Sequence, residues 1–275
     1  MRAVRRDVIT VALAAALASG VVGCQDSKSS EGKADDDTSG GTEVRRTDPA
    51  GVLRTAVKKT GTQASYKTIQ TGENGTGRSD MLYQRNPAAT SMTSVTEKSA
   101  DAPDGMIRLL TVGGTMYIAS AKVPGKSWYS IQGMEGGGAP RAAGYIDEYG
   151  GALAATENTR WVAEETVGDR KSDHYRGTVD FAALAAYKGT AFPKEARERY
   201  TLLAKRNHLK SAVIDIWVGK DDLVLKARET STDTKGKKDV LNEEYSHFGT
   251  VPRITAPPAN QVLTSDQWLD AQAHG

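Results

Sequence analysis

The stretch SAVIDIWVGKDDLVLKARET, residues 211–230, contains two strand-like segments separated by a turn, and the fold of this chain follows from this pattern. Ile214 and Ile216 fall on one side of an extended backbone and Asp215 on the other, which is the period-2 pattern of a half-buried strand. Residues 219–222 have the Gly and Asp composition of a turn, and a second strand-like segment follows them. The stretch therefore predicts two antiparallel neighbours in a sheet.

Further segments of the chain have the same strand character and are bounded by Gly, Asn and Pro. Gly113-Gly114 between two apolar runs predicts a hairpin. We predict one large antiparallel sheet with strands at 66–71, 77–84, 89–96, 106–112, 115–119, 127–132, 159–166, 172–179, 212–218, 223–230 and 240–248.

A helix is predicted to open the globular part. Asp48 can cap it, Pro49 suits the first helical position and Gly61 ends it, while Leu53 and Val57 belong to its apolar stripe. Further helices are predicted at 145–155, 181–186 and 193–206. The fold class is α+β: helices on one face of a curved antiparallel sheet enclose a space that can be core or cavity. Gly150-Gly151 would weaken its helix and could let it move as a gate.

The N-terminus has the pattern of an export signal. Arg2, Arg5 and Arg6 precede an apolar run at 8–22, and Cys24 follows directly after small residues. This resembles a bacterial lipoprotein signal, which implies removal of residues 1–23, acylation of Cys24 with chains such as palmitate, and anchoring on the outer face of the cell membrane. Arg5-Arg6 leaves Sec and twin-arginine export both open.

The rest of the chain divides by composition. Residues 24–46 are almost entirely polar, which predicts the acylated Cys24 and a disordered tether. Residues 47–265 are predicted to form a single domain and 266–275 a C-terminal tail. Cys24 is the only cysteine, so the mature chain has no disulfide. The net charge is +2, and removal of 1–23 leaves none, which argues against nucleic acid as a partner.

Catalytic and metal-binding patterns do not stand out in the sequence. It has no nucleophile elbow, phosphate loop or zinc-protease motif, and its four histidines, His174, His208, His247 and His274, lie far apart. Glu164-Glu165 and Glu243-Glu244 are interpreted as solvated strand edges. We therefore expect neither an enzyme nor a cofactor or metal.

Several stretches, in their order and spacing, resemble the actinobacterial lipoproteins of the LppX/LprG type, which belong to the LolA-like lipoprotein carriers. They are 53–59, 107–118, 127–129, 167–169, 174–180, 213–218, 245–249 and 256–258. The resemblance implies a half-barrel, that is, a strongly curved antiparallel sheet with helices on its concave face, and an apolar cavity that holds acyl chains. It implies no catalytic role for His174, which is expected to be a polar strand residue.

On this resemblance the leading hypothesis is a membrane-anchored lipoprotein that binds or carries a lipid or glycolipid. It predicts loss of the bound lipid when Leu153 becomes Trp. The alternative is a lipoprotein with a solidly packed sheet that binds an envelope protein and modulates a sensor or cell-wall assembly. The candidate lining residues, each of which could equally be plain core, are Leu53, Val57, Met116, Ile118, Tyr145, Ile146, Tyr149, Leu153, Ile214 and Ile216.

Overall fold

The computed structural model describes residues 38–99, 102–120, 125–132 and 145–273. The predicted signal segment and Cys24 lie outside these ranges. Within them the helices are α1 (Thr38–Thr47), α2 (Pro49–Gly61), α3 (Ile146–Ala154), α4 (Phe181–Ala186), α5 (Lys194–Arg206) and α6 (Ser265–Ala273). The strands are β1 (Ser65–Thr71), β2 (Ser79–Gln84), β3 (Ala89–Val95), β4 (Met106–Val112), β5 (Thr115–Ala119), β6 (Trp128–Ile131), β7 (Arg160–Val167), β8 (Arg170–Asp180), β9 (Leu209–Gly219), β10 (Val224–Asp233), β11 (Lys238–Ser246) and β12 (Val262–Leu263).

All the described strands form one open sheet in the order β12-β6-β5-β4-β3-β2-β1-β11-β10-β9-β8-β7. Two meanders, one from β1 to β6 and one from β7 to β11, meet where β1 pairs with β11. The pairing is antiparallel throughout except between β12 and β6. This confirms the predicted α+β half-barrel with helices on one face.

The C-terminal end of the chain has more structure than the sequence indicated. Residues 266–275 were predicted to be a tail, but α6 extends to Ala273, and Trp268 stacks on Tyr129 with ring centroids 4.4 Å apart. The two-residue strand β12 precedes it. A strand this short has no alternation to detect, and the stacking partner of Trp268 is distant in sequence.

The end of the predicted tether also differs from expectation, because α1 covers its last residues. Arg45 holds this helix against the sheet: its Nε lies 2.6 Å from Asp173 Oδ2, and its guanidinium also donates to Asp222 and to the Gly219 carbonyl. The Tyr175 hydroxyl donates to the Arg45 carbonyl at 3.0 Å. A polar segment becomes ordered here because the partners of Arg45 are supplied by distant strands.

Helix α2 follows the predicted boundaries. The Asp48 side chain accepts a hydrogen bond from the Gly51 amide at 2.9 Å, which caps the first turn. Leu53 and Ala56 are buried, and the Thr60 hydroxyl accepts from the Val224 amide at 2.9 Å. The helix is thus fixed to β10 by both apolar packing and a buried hydrogen bond.

Helix α3 is placed by close contacts at its two glycines. A Cβ added at Gly150 would overlap the Val57 side chain, and one added at Gly151 would overlap the Phe192 ring. The absence of side chains here lets α3 approach α2 and the segment before α5. The structure therefore gives Gly150 and Gly151 a packing role, where the sequence suggested a gate.

Candidate functional site

The register of the strands defines which side chains share the helix-bearing face, called the inner face below. Ile118 lies opposite Leu109, Leu109 opposite Met92, and Met92 opposite Met81. Met81 in turn lies opposite Thr68, and Thr68 opposite Tyr245. Directly opposed residues point to the same side of a sheet, and Tyr245 belongs to the core beneath the helices. One continuous inner face therefore runs through both meanders.

Helices cover the inner face over β8, β9 and β10, where α2, α3, α4 and α5 pack on the strands. Most of the predicted lining residues lie in this covered half. Leu53, Ile146, Tyr149, Leu153, Ile214 and Ile216 are fully buried in one core cluster, and Val57 and Tyr145 pack against it. The structure brings these eight residues together as packed core.

The inner face over β2 to β5 is different. No helix in the described part of the chain packs closely on these strands. Met92, Leu109 and Ile118 are only half-buried here, whereas Met81 and Met116 are buried. We call the side chains of Met81, Met92, Leu109 and Ile118 the open inner face. Of the predicted lining residues, Ile118 lies on this face and Met116 beside it on β5.

A buried carboxylate cluster lies in the covered half, centred on Glu243 and Glu229. Glu243 is 0% exposed: it accepts hydrogen bonds from Gln70 Nε2 at 2.6 Å, from the Tyr245 hydroxyl at 2.5 Å and from the Tyr145 amide at 3.2 Å. Neither Glu229 nor Glu243 forms an ion pair with any residue that the structure describes.

Burial dominates the electrostatics of this cluster. It raises the pKa of Glu243 to about 7, although the donors from Tyr245 and Gln70 act in the opposite direction. Burial likewise raises the pKa of Glu229 to about 7, against the effect of the nearby Tyr149 and Tyr200 phenols. Both carboxyl groups therefore titrate near neutral pH in the folded protein.

A third buried carboxylate, Glu148 on α3, borders the cluster. It is 1% exposed and accepts a hydrogen bond from Arg199 on α5 at 3.2 Å. The Glu148 charge is thus balanced within the helical layer, unlike the charges of Glu229 and Glu243.

The interpretation of Glu243-Glu244 as a solvated strand edge is wrong for Glu243. Alternation along β11 puts Glu243 on the inner face together with Tyr245, and leaves Glu244 exposed on the other side. The sequence contained the signal for an inward-facing Glu243, because Leu241, Glu243 and Tyr245 are each two residues apart and therefore lie on the same face of the strand. The sequence did not show which helix would cover Glu243 on this face.

A second polar array lies on the opposite, outer face, centred on His174. Its Nδ1 is 2.9 Å from Glu165 Oε1 and its Nε2 is 2.6 Å from Asp215 Oδ1, and its ring stacks on Trp217 with centroids 4.3 Å apart. The Trp217 indole lowers the pKa of Glu165 by donating a hydrogen bond. Burial raises the pKa of Asp215, but the donors from His174 and Arg176 outweigh it, and the net shift is downward.

This array explains why His174 is buried in a strand without any catalytic partner. Glu165 and Asp215 occupy both of its ring nitrogens, so neither nitrogen is left to act on a substrate or to bind a metal. Across the described ranges, no group of three or more His, Cys, Asp or Glu side chains has the arrangement of a metal site. Nor does any described helix have the length and apolar character needed to cross a bilayer.

An open, mostly antiparallel sheet with helices on one face and a partly uncovered inner face defines the fold class, which is an α+β half-barrel. Among solved structures, the chain is similar to LprF of Mycobacterium bovis, with a TM-score of 0.50 and 14% identity over 78% of this chain and 99% of that one. This likeness shows the fold. LppX of Mycobacterium tuberculosis is also similar, with a TM-score of 0.47 and 10% identity over 76% of this chain and 100% of that one.

The comparisons by sequence are more limited. No known family profile matches the chain. An uncharacterized 31.2 kDa protein of Streptomyces griseus is 29% identical over 120 residues, which are 43% of this chain and 38% of that protein. The match thus spans well under half the length of this curated relative.

Proposed function

We propose that this protein is a membrane-anchored lipoprotein on the outer face of the cell membrane, and that it binds or carries a lipid whose acyl chains lie on the open inner face. The anchor is the acylated Cys24. The fold shared with LprF supports the lipoprotein class, and the open inner face carries the binding hypothesis.

The chemistry of the open inner face suits acyl chains. Met81, Met92, Leu109 and Ile118 form a contiguous apolar row across four strands, and three of them keep part of their surface exposed. Methionine side chains adapt to irregular apolar partners. Each Å² of apolar surface removed from water contributes about 25 cal/mol, so an acyl chain along this row would be held without any charged contact.

Two adjacent residues on β5 test the proposal because they point to opposite faces. Ile118 lies on the open inner face and Tyr117 on the outer face, and both are half-buried. The full-length chain and the variants Ile118→Lys and Tyr117→Lys are purified from membranes, and the bound lipid is extracted and measured by mass spectrometry. We expect a stoichiometric acyl lipid with the parent chain and with Tyr117→Lys, and at least a tenfold lower load with Ile118→Lys.

The opposite result would contradict the proposal. Equal loads for both lysine variants would place any lipid elsewhere. An absence of bound lipid from all three chains, even after incubation with envelope lipids, would favour the alternative, a lipoprotein whose inner face binds an envelope protein.

A further inference from the structure

Two buried threonines lie side by side on the inner face of the first meander. Thr90 on β3 is directly opposite Thr111 on β4, and the two residues are only 3% and 6% exposed. Neither side-chain hydroxyl makes a hydrogen bond to any residue in the part of the chain that the structure describes. Because about nine in ten buried polar groups are hydrogen-bonded, this opposed pair indicates a place for a polar atom from outside the chain.

The position of the pair links it to the open inner face. Thr90 lies two residues from Met92 along β3, which puts both side chains on the same face. Thr111 and Leu109 are related in the same way along β4. Met92 and Leu109 are half-buried, and no described helix packs closely on either strand. Met116, which lies opposite Thr111, is outside the core cluster beneath the helices. The threonine pair is therefore the buried, polar end of the open inner face.

The surroundings determine which polar atom suits this pair. A threonine hydroxyl is uncharged and can donate one hydrogen bond, so an uncharged acceptor oxygen satisfies it. The inner-face neighbours Met92, Leu109 and Met116 are apolar, which requires that the acceptor belong to a largely apolar molecule. An ester at the head of an acyl chain has both properties. Its carbonyl oxygen has two lone pairs, one for each hydroxyl, and its chain continues over the apolar side chains.

We infer that Thr90 and Thr111 form an ester-binding subsite, in which their hydroxyls donate to the carbonyl oxygen of an acyl ester whose chain lies along Met92 and Leu109. The inference rests on the proposed function and deepens it, because it selects ester-linked lipids as the class that binds. Only one oxygen atom has to reach the threonines, so the headgroup stays outside the buried end. An ordered water between the hydroxyls is the competing explanation, and it gives no selectivity between lipids.

A competition between two lipids that differ only in their linkage tests the subsite. The full-length chain is incubated with vesicles of equal parts dioleoylphosphatidylcholine and its diether analogue, which has no ester carbonyl, and the bound lipids are quantified by mass spectrometry. We expect the diester to exceed the diether by at least about fivefold, the effect of two modest hydrogen bonds. In the double variant Thr90→Val, Thr111→Val, which keeps the side-chain shape and removes only the hydroxyls, the ratio should fall to about one.

Thr93→Val is the matched control, because Thr93 is a half-buried threonine of the same strand on the outer face, and it should retain the preference. The ratio is measured within one sample, so a smaller amount of folded protein does not change it. Equal loading of both lipids by the parent chain would overturn the ester subsite and leave the proposed function standing. A preference that persists in the double variant would also overturn it. Loading of neither lipid would overturn the subsite and the proposed function together.

Discussion

At the scale of single residues, burial decides the charge of the two inner carboxyl groups. The ordinary pKa of a glutamate is 4.5, and burial raises that of Glu229 and Glu243 to about 7. A raised folded-state pKa means that the folded protein binds the proton more tightly than the unfolded chain does. Stability from these groups is therefore full below pH 4.5 and is lost as the pH rises to about 7.

Replacement of Glu229 by Gln should remove much of this dependence. In the parent protein the free energy of unfolding should fall between pH 4.5 and 7, and Glu229→Gln should recover about 3 kcal/mol at pH 8, since each pKa unit corresponds to about 1.4 kcal/mol. Urea unfolding at a series of pH values measures this. The exposed Glu198→Gln should leave the profile unchanged, and a flat profile in the parent protein would contradict the assigned burial effect.

Two carboxylates outside the Glu229–Glu243 cluster, Asp173 and Asp215, act in the opposite direction. The pKa values of Asp173 and Asp215 lie below the ordinary value, because hydrogen bonds from cationic and indole groups outweigh their burial. Their stabilisation is lost as the pH falls through the folded-state pKa. The two sets of carboxylates together place maximal stability in the mildly acidic range.

At the scale of elements, α1 shows how one residue can order a polar segment. The Arg45 side chain is 15% exposed and the Asp173 side chain 4%, so this ion pair is shielded from water and supplemented by hydrogen bonds to carbonyls. Arg46 lies over the Trp161 ring at 4.6 Å. Helix α1 also packs on β7, the edge strand of the sheet.

Arg45→Ala should release α1 from the sheet. The measurement is the rate of tryptic cleavage after Arg46 under native conditions, which should rise at least about tenfold, corresponding to about 1.4 kcal/mol of docking free energy. Arg54→Ala, at an exposed position of α2, should not alter that rate. Equal cleavage rates in the parent protein and Arg45→Ala would show that the arginine does not hold the helix.

At the scale of the whole molecule, the inner face of the sheet has two halves: α2 to α5 cover one half, and the other half is open. The inner face of the first meander includes the apolar row of Met81, Met92, Leu109 and Ile118, but among the described residues α2 to α5 pack closely on β8, β9 and β10 of the second. The proposed ligand surface is therefore the part of one continuous sheet on which no helix of the described residues packs closely.

Two substitutions by tryptophan distinguish the covered half of the molecule from the open inner face. Leu153 is fully buried against Gly177, so Leu153→Trp should lower the free energy of unfolding by about 1–3 kcal/mol through overpacking. Ile118→Trp, on the half-buried open face, should change stability by less than about 1 kcal/mol while reducing the lipid load. Urea unfolding and lipid extraction on the same samples measure both. A stable Leu153→Trp protein would mean that the covered half contains unfilled space.

Local patterns in the sequence are sufficient to predict most of the helices and strands of this protein. Period-2 alternation and glycine-bounded turns predicted the eleven long strands within a few residues, and capping residues predicted α2, because these signals are local and repeat along the chain. The fold class followed from them. The elements that the sequence missed, α1, β12 and α6, depend on contacts between residues distant in sequence, such as Arg45 with Asp173 and Trp268 with Tyr129.

Which inner-face residues are core and which remain open depends on tertiary packing, which the sequence does not show. Ile214 and Ile118 have the same apolar character in the sequence and both lie on the inner face, yet the helices bury Ile214 and leave Ile118 half-buried. For the same reason Glu243 was misassigned: alternation gives the face of a strand residue, but burial, and with it the charge of the carboxyl group, depends on what packs over that face.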